Sequence, residues 1–109
     1  MIEAIYNERE YCLIVQGHAG QAPRGSDVVC AAVSGICEAL VGAALDQQER
    51  VVPVIGRKSE GAIRVKLYPE RERDRLAARV MLDMAYIGLE RIETQCGEYI
   101  RCSRTKEEI

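Results

Sequence analysis

SDVVCAAVSGICEALVGAALDQ, residues 26–47, is the stretch on which the fold turns. At 100° per residue, Val29, Val33, Ile36 and Leu40 form one stripe, and Asp27, Cys30, Ser34, Cys37 and Val41 form the adjoining one. Ala31, Gly35, Ala39 and Gly42 leave the opposite side small. The pattern predicts a helix from about Asp27 to about Gln47, with Ser26 as N-cap and Asp27 in the first turn. A helix so uniformly apolar or small is expected to be largely buried, against a sheet, another helix or a second subunit.

Upstream, Ile2–Tyr6 and Tyr11–Val15 read as a hairpin around the polar turn Asn7-Glu8-Arg9-Glu10, and Gly17 to Gly25 reads as a loop. Downstream, Val51–Ile55 is a short strand whose Pro53 suits a sheet edge, followed by a turn from Gly56 to Gly61. Ala62–Tyr68 alternates Ile63, Val65 and Leu67 against Arg64 and Lys66, as a half-exposed strand does. After Pro69 a second helix is expected over Arg71–Thr94, burying Leu76, Val80, Met84 and Ile87, flanked by Ala77, Met81, Gly88 and Ile92. Cys96-Gly97 ends it, Tyr99–Cys102 forms a last strand, and the charged tail to Ile109 is expected to fray. The order β-β-α-β-β-α-β defines a single α/β (α+β) domain, residues 1–109. It is a compact two-layer arrangement of a mixed five-stranded sheet and two main helices.

Composition narrows the function. Fifteen basic and 17 acidic residues give a net charge of −2, without the basic footprint of a protein held on nucleic acid by counterion release. The mixed run Arg71-Glu72-Arg73-Asp74-Arg75 reads as a solvated helix face. Apolar stretches are interrupted before the ~18 residues of a membrane span. No signal-peptide layout precedes the first strand, so a cytoplasmic protein is expected. Five cysteines (12, 30, 37, 96 and 102) without a C-x-x-C pair predict free thiols rather than a disulfide framework. With a single histidine, no structural zinc site is expected.

The chemistry concentrates between residues 17 and 34. His18 opens the glycine-containing loop, and Cys30 follows twelve residues later in the first helical turn. Thiolate is the reactive form of cysteine, and both a helix N-terminus and an adjacent imidazolium favour it. N–H groups of that first turn are also expected to donate to a developing oxyanion. Asp27 has two readings: its charge opposes a nearby thiolate, or its carboxylate orients the imidazole as the third member of a triad does. For Ser34 the plain reading is a hydroxyl bonded back to a helix carbonyl. Packing is the plain reading for Cys12, Cys96 and Cys102, and core or groove lining for Cys37.

Gly17-His18-Ala19 followed by Asp27-Val28-Val29-Cys30-Ala31 resembles the paired motif of the ribosomal-processing cysteine protease family, Prp. The resemblance extends over essentially the whole chain, with its diagnostic weight in residues 17–34. It implies a catalytic His18 and Cys30, supporting roles for Asp27 and Ser34, and a homodimer. It also implies a substrate-covering loop of Ala19, Gly20, Gln21, Ala22, Pro23, Arg24 and Gly25. The implied reaction removes a short N-terminal extension from large-subunit ribosomal protein number twenty-seven, after a hydrophobic, phenylalanine-containing stretch, without metal or cofactor. Two rival readings are a non-enzymatic ribosome-associated module with Cys30 merely packed, and a thiol redox sensor.

Overall fold

The computed structural model describes residues 1–20, 22, 27–59 and 61–109. Among these residues five strands and two helices follow in the expected order: β1 Ile2–Asn7, β2 Cys12–Gly17, α1 Val28–Asp46, β3 Val51–Ser59, β4 Ala62–Pro69, α2 Arg75–Cys96 and β5 Ile100–Arg104. A single 3-10 turn, Glu72–Asp74, leads into α2. The sheet runs β3-β4-β2-β1-β5, and only β1 and β5 pair in parallel. It is therefore mixed.

The register lines up Ile2, Ala4 and Tyr6 with Val15, Leu13, Val65, Ile63 and Ile100 on one face of the sheet. Both helices pack onto that face and enclose one core with these residues. The hairpin between β1 and β2 is pinned by Asn7, whose Oδ1 accepts from the N–H groups of Arg9 and Glu10 at 3.0 and 3.1 Å. That is an Asx turn.

Four expectations are corrected by the packing. In α2 the residues that turn inward are Ala78, Leu82, Ala85, Tyr86 and Leu89, whereas Leu76, Val80, Met84 and Ile87 face outward. The small Ala78 and Ala85 let the helix lie close to the sheet, and Tyr6 reaches up to donate to Asp83 Oδ1 at 2.6 Å. Strand β3 continues through Arg57 to Ser59 instead of ending at Ile55, because its ladder with β4 persists past Gly56 with a register shift. The C-terminal tail is tied down: Thr105 N–H bonds to Tyr6 O, Asn7 Nδ2 donates to Glu107 O at 2.9 Å, and Arg64 reaches Ile109 O. Finally, α1 is half-covered rather than enclosed. Val29, Val33, Cys37, Leu40, Val41 and Ala44 are buried, while Ala31, Gly35, Ala39 and Gly42 stay exposed in the single chain.

By length and composition α1 is also the one helix among the described residues apolar enough to cross a membrane, contrary to the sequence expectation. Its buried stripe lies on the sheet. Its mid-helix Glu38 is ion-paired with Arg57 of β3 at 2.6 Å, as in the core helix of a folded domain.

Candidate active site

β2 ends at Gly17, whose φ of +97° turns the chain past the N-terminus; a Cβ there would collide with the Met1 carbonyl. His18 emerges from that turn exposed, and Ala19 behind it is buried. The Ala19 N–H donates to Cys30 Sγ at 3.3 Å. This bond joins the histidine-bearing turn to the first turn of α1. Among the described residues it is the one hydrogen bond to a cysteine sulfur.

The helix start differs from the sequence reading in one respect. Asp27 is itself the N-cap, its φ and ψ of −82° and 103° being extended, and Oδ1 accepts from the Cys30 N–H at 2.9 Å. Ser26, expected to cap, lies outside the described residues, as do Gln21, Pro23, Arg24 and Gly25 of the predicted covering loop. The cap also corrects the anion-hole expectation for two donors. Cys30 N–H is held by the Asp27 carboxylate and Ala31 N–H by the Asp27 carbonyl at 3.0 Å. The N–H aimed at the sulfur comes instead from Ala19.

His18, Asp27, Cys30 and Ser34 all line one groove of about 820 Å³. One wall is α1, where Asp27, Cys30, Ser34 and Glu38 recur at helical spacing. The opposite wall is the β3–β4 hairpin, with Arg57, Gly61 and Ala62, and Ile2, Val15, Val33 and Ile63 contribute an apolar lining. Gly20 and Ala22 of the predicted covering loop border the same space. The groove runs beside α1 for about 16 Å, taking 1.5 Å for each step from Asp27 to Glu38. At ~3.3 Å per extended residue it accommodates roughly five residues of a peptide.

Three of the other thiols, Cys12, Cys37 and Cys102, are shifted upward by their surroundings. Burial, then the Glu38 carboxylate, pushes Cys37 up to about 11. Burial with Glu93 and Glu90 pushes Cys102 up to about 12, and burial raises Cys12 as well. Each is held in its unreactive protonated form. No cluster of three metal-ligating side chains occurs among the described residues.

Three participants escaped the sequence reading: the Ala19 N–H, the Glu38–Arg57 pair that spans the two walls, and Gly61. The first follows from the turn at Gly17. The other two depend on the β3–β4 hairpin lying against α1, which no local pattern encodes.

A groove long enough for an extended peptide, with a cysteine at a helix N-terminus and a histidine-bearing turn bonded to its sulfur, has the makings of a thiol peptidase site. The profile of the cysteine protease Prp family matches residues 1–101, and the chain belongs to that family of cysteine proteases. The fold is shared with the essential ribosomal processing protease Prp from S. aureus bound covalently to a product peptide. The TM-score is 0.82 at 23% identity, over 96% of this chain and 100% of that one. The same S. aureus protease in complex with a substrate peptide gives 0.74 at 22% identity, over 96% and 100%. SMU.848 from Streptococcus mutans gives 0.73 at 22% identity, over 96% and 94%. A comparison with curated protein sequences finds no significant match. Membership of a protease family sets aside the reading of a non-enzymatic module.

Proposed function

We propose that this protein is a ribosomal-processing endopeptidase in which Cys30 is the nucleophile and His18 the acid and base. In this reading it removes the N-terminal extension of large-subunit ribosomal protein number twenty-seven, in the cytoplasm. The observation that carries the reading is the Ala19 N–H bond to Cys30 Sγ, which fixes the histidine turn against the cysteine turn at the head of a peptide-sized groove. The apolar lining from Ile2, Val15, Val33 and Ile63 suits a hydrophobic stretch ahead of the cut.

The reaction is acyl transfer. Cys30 Sγ attacks the scissile carbonyl carbon, and the carbonyl electrons move to oxygen. In this reading the Ala19 N–H, which donates to the sulfur before attack, supplies a hydrogen bond to the oxyanion that forms beside it. The C–N bond then breaks as imidazolium His18 protonates the leaving amine. A thioester remains, and neutral His18 takes a proton from the water that hydrolyses it, restoring thiolate and imidazolium. Asp27 supports by capping the helix that carries Cys30, and Ser34 lines the groove one turn further on. No metal or cofactor takes part.

A homodimer belongs to the same proposal. Leu76 and Met84 of α2 are 72% and 71% exposed, and Val80 and Ile87 continue their stripe. The small face of α1 lies in the same helical layer. The chain exposes 6633 Å², against roughly 6,100 Å² for a monomer of this mass. Sedimentation should give a dimer that Met84→Glu converts to a folded monomer; a monomeric wild type would contradict this part.

The functional test is to incubate the protein with the extended ribosomal-protein peptide and weigh the products. Two fragments whose masses sum to the peptide plus one water are expected, with the cut after the hydrophobic stretch. An intact peptide after prolonged incubation would overturn the substrate assignment.

A further inference from the structure

Gly61 lies in the turn just ahead of β4 in the β3–β4 hairpin, far along the chain from the histidine. Its backbone nevertheless lies directly against the imidazole. A Cβ built on Gly61 would sit 2.8 Å from His18 Cε1 and 3.0 Å from Nε2, with Gly17 O at 3.1 Å. Side-chain carbons do not approach heavy atoms that closely, so with any other residue the ring would have to move. The sheet explains the meeting: Gln16 pairs with Ala62, so one step further the chain at Gly17 and His18 passes the chain at Gly61.

His18 needs such a seat. It is exposed at the end of β2, and among the described residues no side chain hydrogen-bonds to its ring. Without a wall against it, a ring on two rotatable bonds samples several rotamers, and general acid–base catalysis requires one of them.

We propose that Gly61 is a positioning residue for His18, its bare Cα forming the surface against which the imidazole is held. The inference rests on His18 acting as acid and base, as proposed above. It adds that the hairpin wall of the groove, rather than β2 alone, sets where the ring stands. A substrate lying against that wall then bears on the same element that seats the histidine.

A competing explanation is purely conformational. Gly61 has φ +82°, which disfavours any side chain whatever its surroundings. A double-mutant cycle separates the two. Gly61→Ala is made in the wild type and in His18→Ala, where the ring is gone but the backbone strain is unchanged. Melting temperatures are measured for all four proteins, together with the rate of Cys30 alkylation by iodoacetamide against pH, mapped by mass spectrometry.

If Gly61 seats the ring, the substitution lowers the melting temperature more when His18 is present than when it is absent. In otherwise wild-type protein it also gives Cys30 the alkylation–pH profile of His18→Ala. Peptide cleavage by Gly61→Ala should fall on the order of 10–100-fold, in kcat rather than KM. Equal melting losses in both backgrounds, or a Gly61→Ala protein that keeps the wild-type profile while His18→Ala has lost it, would overturn the inference alone. A wild-type profile in His18→Ala would overturn the reading of the site and this inference with it. Should Gly61→Ala fail to fold, recovery of a folded protein on adding His18→Ala supports the seat, and failure in both backgrounds refutes it.

Discussion

Replacing Asp27 separates two roles that one carboxylate can play beside Cys30. The residue is 9% exposed, and its carboxylate accepts the Cys30 N–H at 2.9 Å as the N-cap of α1. Removing a capping oxygen costs about 1 kcal/mol, and up to ~2 where the site is enclosed. The negative charge at the positive end of the helix contributes a further ~0.3–1 kcal/mol. Asp27→Ala should therefore destabilise the domain by about 1.3–3 kcal/mol. For a chain near 100 residues each kcal/mol lowers Tm by roughly 4–8 °C. Asparagine keeps the acceptor and surrenders the charge, so Asp27→Asn should lose only about 0.3–1 kcal/mol. If capping is the role of Asp27 in catalysis, the asparagine variant also retains most peptide cleavage while the alanine variant does not. The assay is circular-dichroism melting of the three proteins with cleavage rates measured on the same samples. An alanine variant that melts within a degree of the wild type refutes the capping argument. So does an asparagine variant as destabilised as the alanine one.

Further outcomes follow from the core and the thiols. Leu82→Ala empties a site with no solvent exposure and should cost about 2–5 kcal/mol, against well under 1 kcal/mol of intrinsic subunit stability for Leu76→Ala, which is 72% exposed. Urea unfolding at a concentration where subunits are separate would contradict the assigned helix face if the two losses were equal. Stability should fall on the alkaline side. Cys37 is raised to about 11, so between the ordinary thiol range and that value the unfolded chain gives up a proton that the folded chain keeps. The slope is about −1.4 kcal/mol per pH unit for such a group. The raised Cys102 and Cys12 act with the same sign, and a urea midpoint that stays flat from pH 9 to 11 would refute their burial.

Much of the fold was legible because its signals are local. The Asn7 turn, the period of residues 28–46 and the alternation of Ile63, Val65 and Leu67 each reflect neighbours within a few residues. Helix α2 was misread because it has two apolar sides. Leu76, Val80, Met84 and Ile87 line the outer one, while the inner one mixes Leu82, Tyr86 and Leu89 with the small Ala78 and Ala85 that permit close approach. Hydrophobicity alone does not choose between them. The tail was misread for another reason. Lys106, Glu107 and Glu108 look solvated, yet the backbone carbonyls of Glu107 and Ile109 are held by Asn7 and Arg64. The site divides the same way. His18, Asp27, Cys30 and Ser34 fall within one short stretch, whereas Gly61 and Arg57 reach the groove only through strand pairing.

The role of Cys30 is tested most directly by a peptidyl chloromethyl ketone that ends in an apolar residue, with the protein weighed intact and then after digestion. One equivalent should add to Cys30 with loss of chloride, at a rate much reduced in His18→Ala, and nothing should add to Cys30→Ala. Labelling of another cysteine at the same rate, or a Cys30→Ala protein that still cleaves the extended peptide, would contradict the account.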